Sequence, residues 1–230
     1  MSTDILSIRL GITNSYLLRG ARGIVMVDAG IPGKIKAFKR QLARLYIMPK
    51  DIKLIILTHS HFDHIGTAKE IQELTGADVM IHKAEKKMID DGKFMVLEGT
   101  TFWGKLSLKI LSPFTGLIKF IPPAINIIAG DEDISLLDFG IDGNVIHTPG
   151  HSAGSISVLL KTGEAFVGCM AHAALPLRSS PGLPIYAEDI NILIESWEKI
   201  IEKGARIIFP AHGKPFSVEI MKKIISTRKV

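Results

Sequence analysis

A single cysteine, Cys169, stands among the 230 residues, so no intrachain disulfide can form. That scarcity fits a reducing compartment and leaves burial to hold the chain together. Long apolar runs are also missing. The nearest approach to a bilayer span, Phe102 to Ile128, is interrupted by Gly104, Lys105, Lys109, Pro113, Gly116, Lys119, Pro122 and Pro123. Met1-Ser2-Thr3-Asp4 is not a charged leader ahead of a secretory apolar core. Charge of one sign is not in large excess. The formal net charge of +5 is mild for this length, and no concentrated basic patch or dedicated nucleic-acid-binding region stands out. These absences lead to an expected cytoplasmic protein without a transmembrane segment. The 47% apolar content argues against general disorder, and 1–230 fits one domain with a sizeable core.

Periodicity divides the chain into strands and helices. Ile5 to Leu18 and Gly23 to Val27 read as strands separated by turns, the second stopping sharply at Asp28-Ala29-Gly30. Ile35, Phe38, Leu42 and Leu45 have helical spacing. Leu54 to Leu57 is strand-like, Ala68, Ile71 and Leu74 predict a helix stopped by Gly76, and Val79-Met80-Ile81 begins another strand. The alternation indicates an α/β fold. An apolar insertion around 92–130 is less regular and suits a pocket lid, a subunit contact, a membrane-facing patch or an ordinary core insertion, so a homodimer is one expected partner state. Further strands run from Ile156 to Leu160, Ala165 to Val167 and Ile207 to Phe209. Helices are expected from Asp189 to Lys203 and from Val218 to Ile225.

The most informative run is Thr58-His59-Ser60-His61-Phe62-Asp63-His64. It places three imidazoles and a carboxylate at the end of an expected buried strand. His59, His61 and Asp63 would share a face on an extended backbone, with His64 brought around by a turn. His151 and His212 likewise follow strand-like runs and precede small or turn-forming residues. One such histidine would be an ordinary solvated loop residue, and Asp63 alone would be a cap. Together they predict a transition-metal site. Imidazole and carboxylate suit Zn2+, and the expectation is two ions, with Fe or Mn also compatible. His147 and His82 need no such role, and the orientation of His172 is not specified.

These segments resemble the metallo-beta-lactamase superfamily. Thr58 to His64 matches its principal metal motif, and Thr148-Pro149-Gly150-His151-Ser152-Ala153-Gly154-Ser155 matches its second segment. Val27-Asp28-Ala29-Gly30 and Pro210-Ala211-His212-Gly213 agree as well, so the resemblance covers nearly the whole chain. It implies a four-layer αββα sandwich with metals at one edge of two sheets. It further implies that His59, His61 and His151 hold a first metal and that Asp63, His64 and His212 belong to a second. Asp28 would orient a metal loop, or simply cap a turn.

Cys169 departs from the family's hydrolase pattern, which places a bridging aspartate there. A thiolate in the second metal site, as in the lactamases of the superfamily, competes with burial as an ordinary core cysteine. The expected chemistry is hydrolysis of a small molecule by metal-bound hydroxide attacking a lactone, ester or thioester carbonyl. Beta-lactam hydrolysis, a mononuclear iron oxygen-using enzyme and a nonenzymatic metal-stabilised binding module are the alternatives. Asp63 would help orient the water. Tyr186 as oxyanion donor, Arg178 as a carboxylate contact, and Trp103 and Phe120 as apolar substrate contacts are weighed against surface charge and plain packing.

Overall fold

The computed structural model describes residues 3–174 and 179–228. An antiparallel meander opens it, formed by β1 (Asp4–Leu10), β2 (Thr13–Gly20) and β3 (Gly23–Val27). Ile5 to Leu18 is therefore two strands folded across a turn at Gly11 and Ile12. After α1 (Ile35–Arg44), the same sheet adds β4 (Ile52–Ile56), parallel to β3. A single helical turn, α2 (Phe62–Ile65), and α3 (Ala68–Thr75) lead to β5 (Asp78–His82). Next come α4 (Lys83–Asp90), α5 (Phe102–Leu111) and β6 (Ile127–Ala129), which closes the order β1-β2-β3-β4-β5-β6.

The second sheet is assembled mainly from hairpins. It contains β7 (Ile134–Ser135), β8 (Gly143–His147), β9 (Ile156–Leu160) and β10 (Glu164–Phe166). A two-residue strand, β11 (His172–Ala173), and α6 (Ile190–Glu202) follow. Then come β12 (Ile207–Phe209), β13 (His212–Gly213), β14 (Phe216–Ser217) and α7 (Glu219–Arg228). The sheet order is β14-β12-β10-β9-β8-β7, and β11 pairs separately with β13.

Side-chain alternation explains why the sheets stack with helices outside. Along β3, Ile24 and Met26 face one core while Val25 and Val27 face another. The first group packs with Phe38 and Leu42 of α1 and Ala68 and Ile71 of α3. The second meets Val145, Val158, Leu160 and Phe166 from the other sheet. A third core joins Leu159, Ala165 and Ile208 to Leu193, Trp197 and Ile200 of α6 and Met221 and Ile225 of α7. The layers are thus helix, sheet, sheet, helix. Each fully buried aliphatic side chain contributes roughly 1.5–3 kcal/mol, so the central layer is a major source of stability.

Local signals agree with this packing. Leu193, Ser196, Trp197 and Ile200 share the buried stripe of α6. Asp189 caps that helix by accepting from the N–H groups of Asn191 and Ile192. The helix at α3 stops at left-handed Gly76, φ 72°. Within the insertion, Phe94, Phe120 and Ile125 pack against the first core, whereas Phe102, Trp103 and Ile110 remain exposed. Among the described residues, no helix is long and apolar enough to cross a membrane.

Trp197 is fully buried and donates its indole N–H to the Met170 carbonyl at 3.0 Å. Trp197→Ala removes that bond and opens a cavity, and should cost about 3–5 kcal/mol in equilibrium denaturation. A loss under about 1 kcal/mol would contradict the packing described for the outer helical layer.

Candidate metal centre

Loops after β4, β8, β10 and β12 converge at one edge of the sandwich, beside the end of β3. At that strand end, Asp28 is buried and holds φ 61°, an uncommon backbone state for a residue with a side chain. Its carboxylate accepts from the Thr58 N–H at 2.9 Å and from the Thr58 hydroxyl at 2.9 and 3.0 Å. It also accepts from His64 Nδ1 at 2.8 Å. Thus the strand-end carboxylate orients both ends of the histidine loop.

This network fixes imidazole tautomers. The Thr58 hydroxyl donates to Asp28, so its oxygen accepts from His59 Nδ1–H at 3.0 Å. His151 Nδ1–H donates to the Tyr186 carbonyl at 2.9 Å. Burial pushes His59 well below its ordinary pKa, reinforced by neighbouring His64, and burial also lowers His151. Both rings are therefore neutral with bare Nε2 atoms, and these atoms lie 3.2 Å apart. Two buried lone pairs that face each other repel. A cation between them and His61, the third member of this donor group, removes the repulsion.

A second donor group lies alongside. His212 donates Nδ1–H to the Ile12 carbonyl at 3.2 Å and directs Nε2 at Asp63 Oδ2, also 3.2 Å away. Thr13 donates its hydroxyl to the same carboxylate oxygen. Asp63, His64 and His212 form one group able to hold an ion. Cys169 Sγ is 3.1 Å from His64 Nε2 and joins further groups with His59 and with His172.

Without an ion, protons must provide the neutralising charge. Burial opposes a thiolate at Cys169, but His64 and His212 outweigh it and hold the thiol well below its usual range. Burial lowers His212, yet the Cys169 and Asp63 anions prevail and raise it to about 10. Burial likewise opposes a charged His64, and Asp28, Cys169 and Asp63 overcome it. Nitrogen, oxygen and sulfur donors of this kind suit a divalent transition metal, whose charge can take over the role of those protons.

The expected histidines and Asp63 are therefore gathered together, but not by an extended backbone. Phe62 to Ile65 form the helical turn α2, which swings Asp63 toward His212 and His64 toward Asp28. Tyr186 borders the cavity, while its hydroxyl lies 2.6 Å from Ser107 Oγ. Trp103 is 62% exposed and Phe120 packs on the first core; neither lines the cavity. The aromatic wall instead comes from Phe62 and Phe94, with Val96, Leu97 and Leu108 beside them. Arg178 lies outside the described residues.

His82 and His147 form a separate parallel stack, with ring centres 4.1 Å apart and Asp131 beside them. His82 Nδ1 accepts from the Ala84 N–H, leaving its Nε2–H to donate to Asp131. That pairing accounts for His82 without an ion.

Sequence reasoning missed Glu85. From the first turn of α4, this buried carboxylate accepts from the Ser60 N–H and Gly154 N–H, each at 3.1 Å. It also bonds the Ser60 hydroxyl. One side chain thereby ties the loop bearing His59 and His61 to the loop bearing His151. A Cβ at Gly154 would lie 2.5 Å from Glu85 Cγ, so glycine permits this approach. The spacing of His82 and Glu85 around the start of α4 was a weak signal, because a first-turn glutamate ordinarily only favours the helix dipole.

A paired-sheet sandwich with clustered imidazole, carboxylate and thiolate donors at one edge defines a metal-binding α/β protein. The model of the Metallo-beta-lactamase superfamily matches residues 8–212, and the chain belongs to that superfamily of metallo-hydrolases. A probable metallo-hydrolase of Methanocaldococcus jannaschii is 32% identical over 208 residues, covering 88% of each chain. An archaeal metallo-beta-lactamase superfamily protein from Sulfolobus tokodaii has the same fold, with TM-score 0.68 and 23% identity. That alignment covers 100% of this chain and 88% of the other. The BLEG-1 B3 metallo-beta-lactamase structure gives TM-score 0.68 at 25% identity, covering 94% of this chain and 95% of the other.

Glu85→Gln would oppose an amide donor to one of the N–H donors, leaving a buried group unpaired. It should cost roughly 1–3 kcal/mol in denaturation of the metal-free protein. Gly154→Ala should also destabilise it through steric conflict with Glu85. Unchanged unfolding midpoints in both variants would reject the loop-tying role.

Proposed function

We propose that the protein is a zinc-dependent hydrolase acting on a lactone, ester or thioester carbonyl of a small, partly apolar substrate. The observation that carries this reading is the pair of bare, buried Nε2 atoms of His59 and His151, with His61 beside them at the cavity. In this reading His59, His61 and His151 hold one Zn2+, and Asp63, His64, His212 and Cys169 serve a second. When bound, the two ions would supply Lewis-acid polarisation and lower the pKa of water.

The protein's own groups divide the remaining work. Asp63 reaches the cavity from α2, with its carboxylate restrained by Thr13 and His212, and orients the attacking water. Tyr186 fixes the His151 tautomer through its carbonyl, which is a firmer role than the expected oxyanion contact. Phe62, Phe94, Val96, Leu97 and Leu108 wall a cavity of about 290 Å³ that accepts an apolar substituent.

No lysine or arginine among the described residues lines that cavity. This favours an uncharged substrate over one carrying a carboxylate. Beta-lactam hydrolysis is the second reading, supported by Cys169 beside Asp63 and His212 and by the likeness to a B3 metallo-beta-lactamase. Comparing uncharged lactones, esters and thioesters with carboxylate-bearing beta-lactams separates the two. Preferential beta-lactam turnover would overturn the first choice.

Chelation should abolish hydrolysis and zinc should restore it. His61→Ala should lower kcat/KM by more than about 100-fold, beyond the usual loss from a residue that only supports a metal ligand. His82→Gln should stay within a few-fold of wild type. Kinetics with measured metal occupancy check the contrast. Equal turnover in the two variants would remove His61 from the proposed centre.

A further inference from the structure

We infer that His172 is a metal ligand, acting with Cys169 and His212 at the second position of the centre. His172 is 1% exposed, yet neither ring nitrogen makes a hydrogen bond. Buried imidazoles nearly always have a partner, and an unpartnered one requires a physical explanation. Its ring faces the same cavity as Cys169 and His212. Donor atoms of these three side chains lie within 4.8 Å of one another, yet neither His172 nitrogen makes a well-formed hydrogen bond to its neighbours. Such separation leaves room for an ion that all three can reach.

The backbone fixes this arrangement. β11 and β13 pair in parallel, with His172 directly opposite His212. The His172 N–H donates to the Gly182 carbonyl at 3.1 Å, and the Gly182 N–H returns a bond at 3.0 Å. The imidazole is therefore carried on a strand clamped from both sides. Gly168, φ 53°, supplies the matching turn for Cys169; a Cβ there would come within 2.5 Å of Thr58 Oγ1. Thus Cys169 and His172 enter the centre on one short, constrained segment.

This assignment also addresses the missing bridging carboxylate. A sulfur and an imidazole offer softer donors at that position, which favours Zn2+ over Mn2+. It rests on the metal-hydrolase reading but goes beyond it, because His172 lies outside the four motif segments that carried the family resemblance.

Cobalt(II) titration of the metal-free protein tests the idea, read by equilibrium dialysis and by the thiolate-to-cobalt absorption band. Wild type should bind two ions. His172→Ala should retain the first and bind the second at least about 10-fold more weakly, with an altered absorption band. His172→Cys, which restores a donor, should recover much of the second-site affinity. Thermal melting of the metal-free variants gives a separate readout. Since His172 has no hydrogen bond to lose, His172→Asn and His172→Ala should melt no more than a few degrees below wild type.

Unchanged second-ion affinity and spectrum in His172→Ala would overturn the inference. A large loss of metal-free stability in both variants would also overturn it, assigning His172 a packing role. Wild-type protein that binds no cobalt would overturn the metal-hydrolase reading itself, which distinguishes the two failures.

Discussion

The Asp28 carboxylate is the constraint on which the centre depends. It sits at the end of β3 in a left-handed backbone state and accepts from both the backbone and hydroxyl of Thr58. Its other oxygen takes His64 Nδ1–H. The Thr58 oxygen is then free only to accept, which sets the tautomer of His59. A single buried acceptor therefore controls the direction of two imidazoles. Its aspartate side chain has the right length and no donor of its own, so asparagine could satisfy the backbone but would contest the histidine proton.

Sheet geometry extends this control. β3 and β4 are parallel neighbours, so their ends arrive together and the Asp28–Thr58 contact needs no long linker. In the second sheet β10 and β12 are also parallel neighbours, and β8 runs the same way across the antiparallel β9. Glu85 then joins loops across the seam. Apart from Phe62 of α2, the apolar wall described above comes from a different source, the irregular segment after α4 and the short α5 helix. Rigid strand ends thus hold the charged groups, while the insertion sets the shape available to a substrate.

Much of the centre was legible because its residues are rare in combination. Three histidines and an aspartate between positions 59 and 64 leave few packing explanations, and the apolar run before them marks the supporting strand. Alternation and turn signals made the α/β order of elements readable, while the four-layer sandwich followed from the resemblance of the motif segments to a known superfamily. The insertion was not readable: apolar residues at Trp103 and Phe120 carry no sign of direction, and tertiary packing sends one outward and lays the other, partly buried, against a core. Glu85 escaped notice and His172 could not be oriented for another reason. Each is an isolated residue whose meaning arises only when chain segments distant in sequence meet.

That separation has a consequence for assembly. The donors run from position 59 to position 212 and come from both sheets. Before these sheets close, no local peptide contains the full constellation, unlike a zinc finger whose short loop gathers its own ligands. An ion that needs the full donor set would therefore act late, as an inspector of completed topology rather than a nucleus for it. By mass action, its concentration would then shift the folding equilibrium toward the native chain.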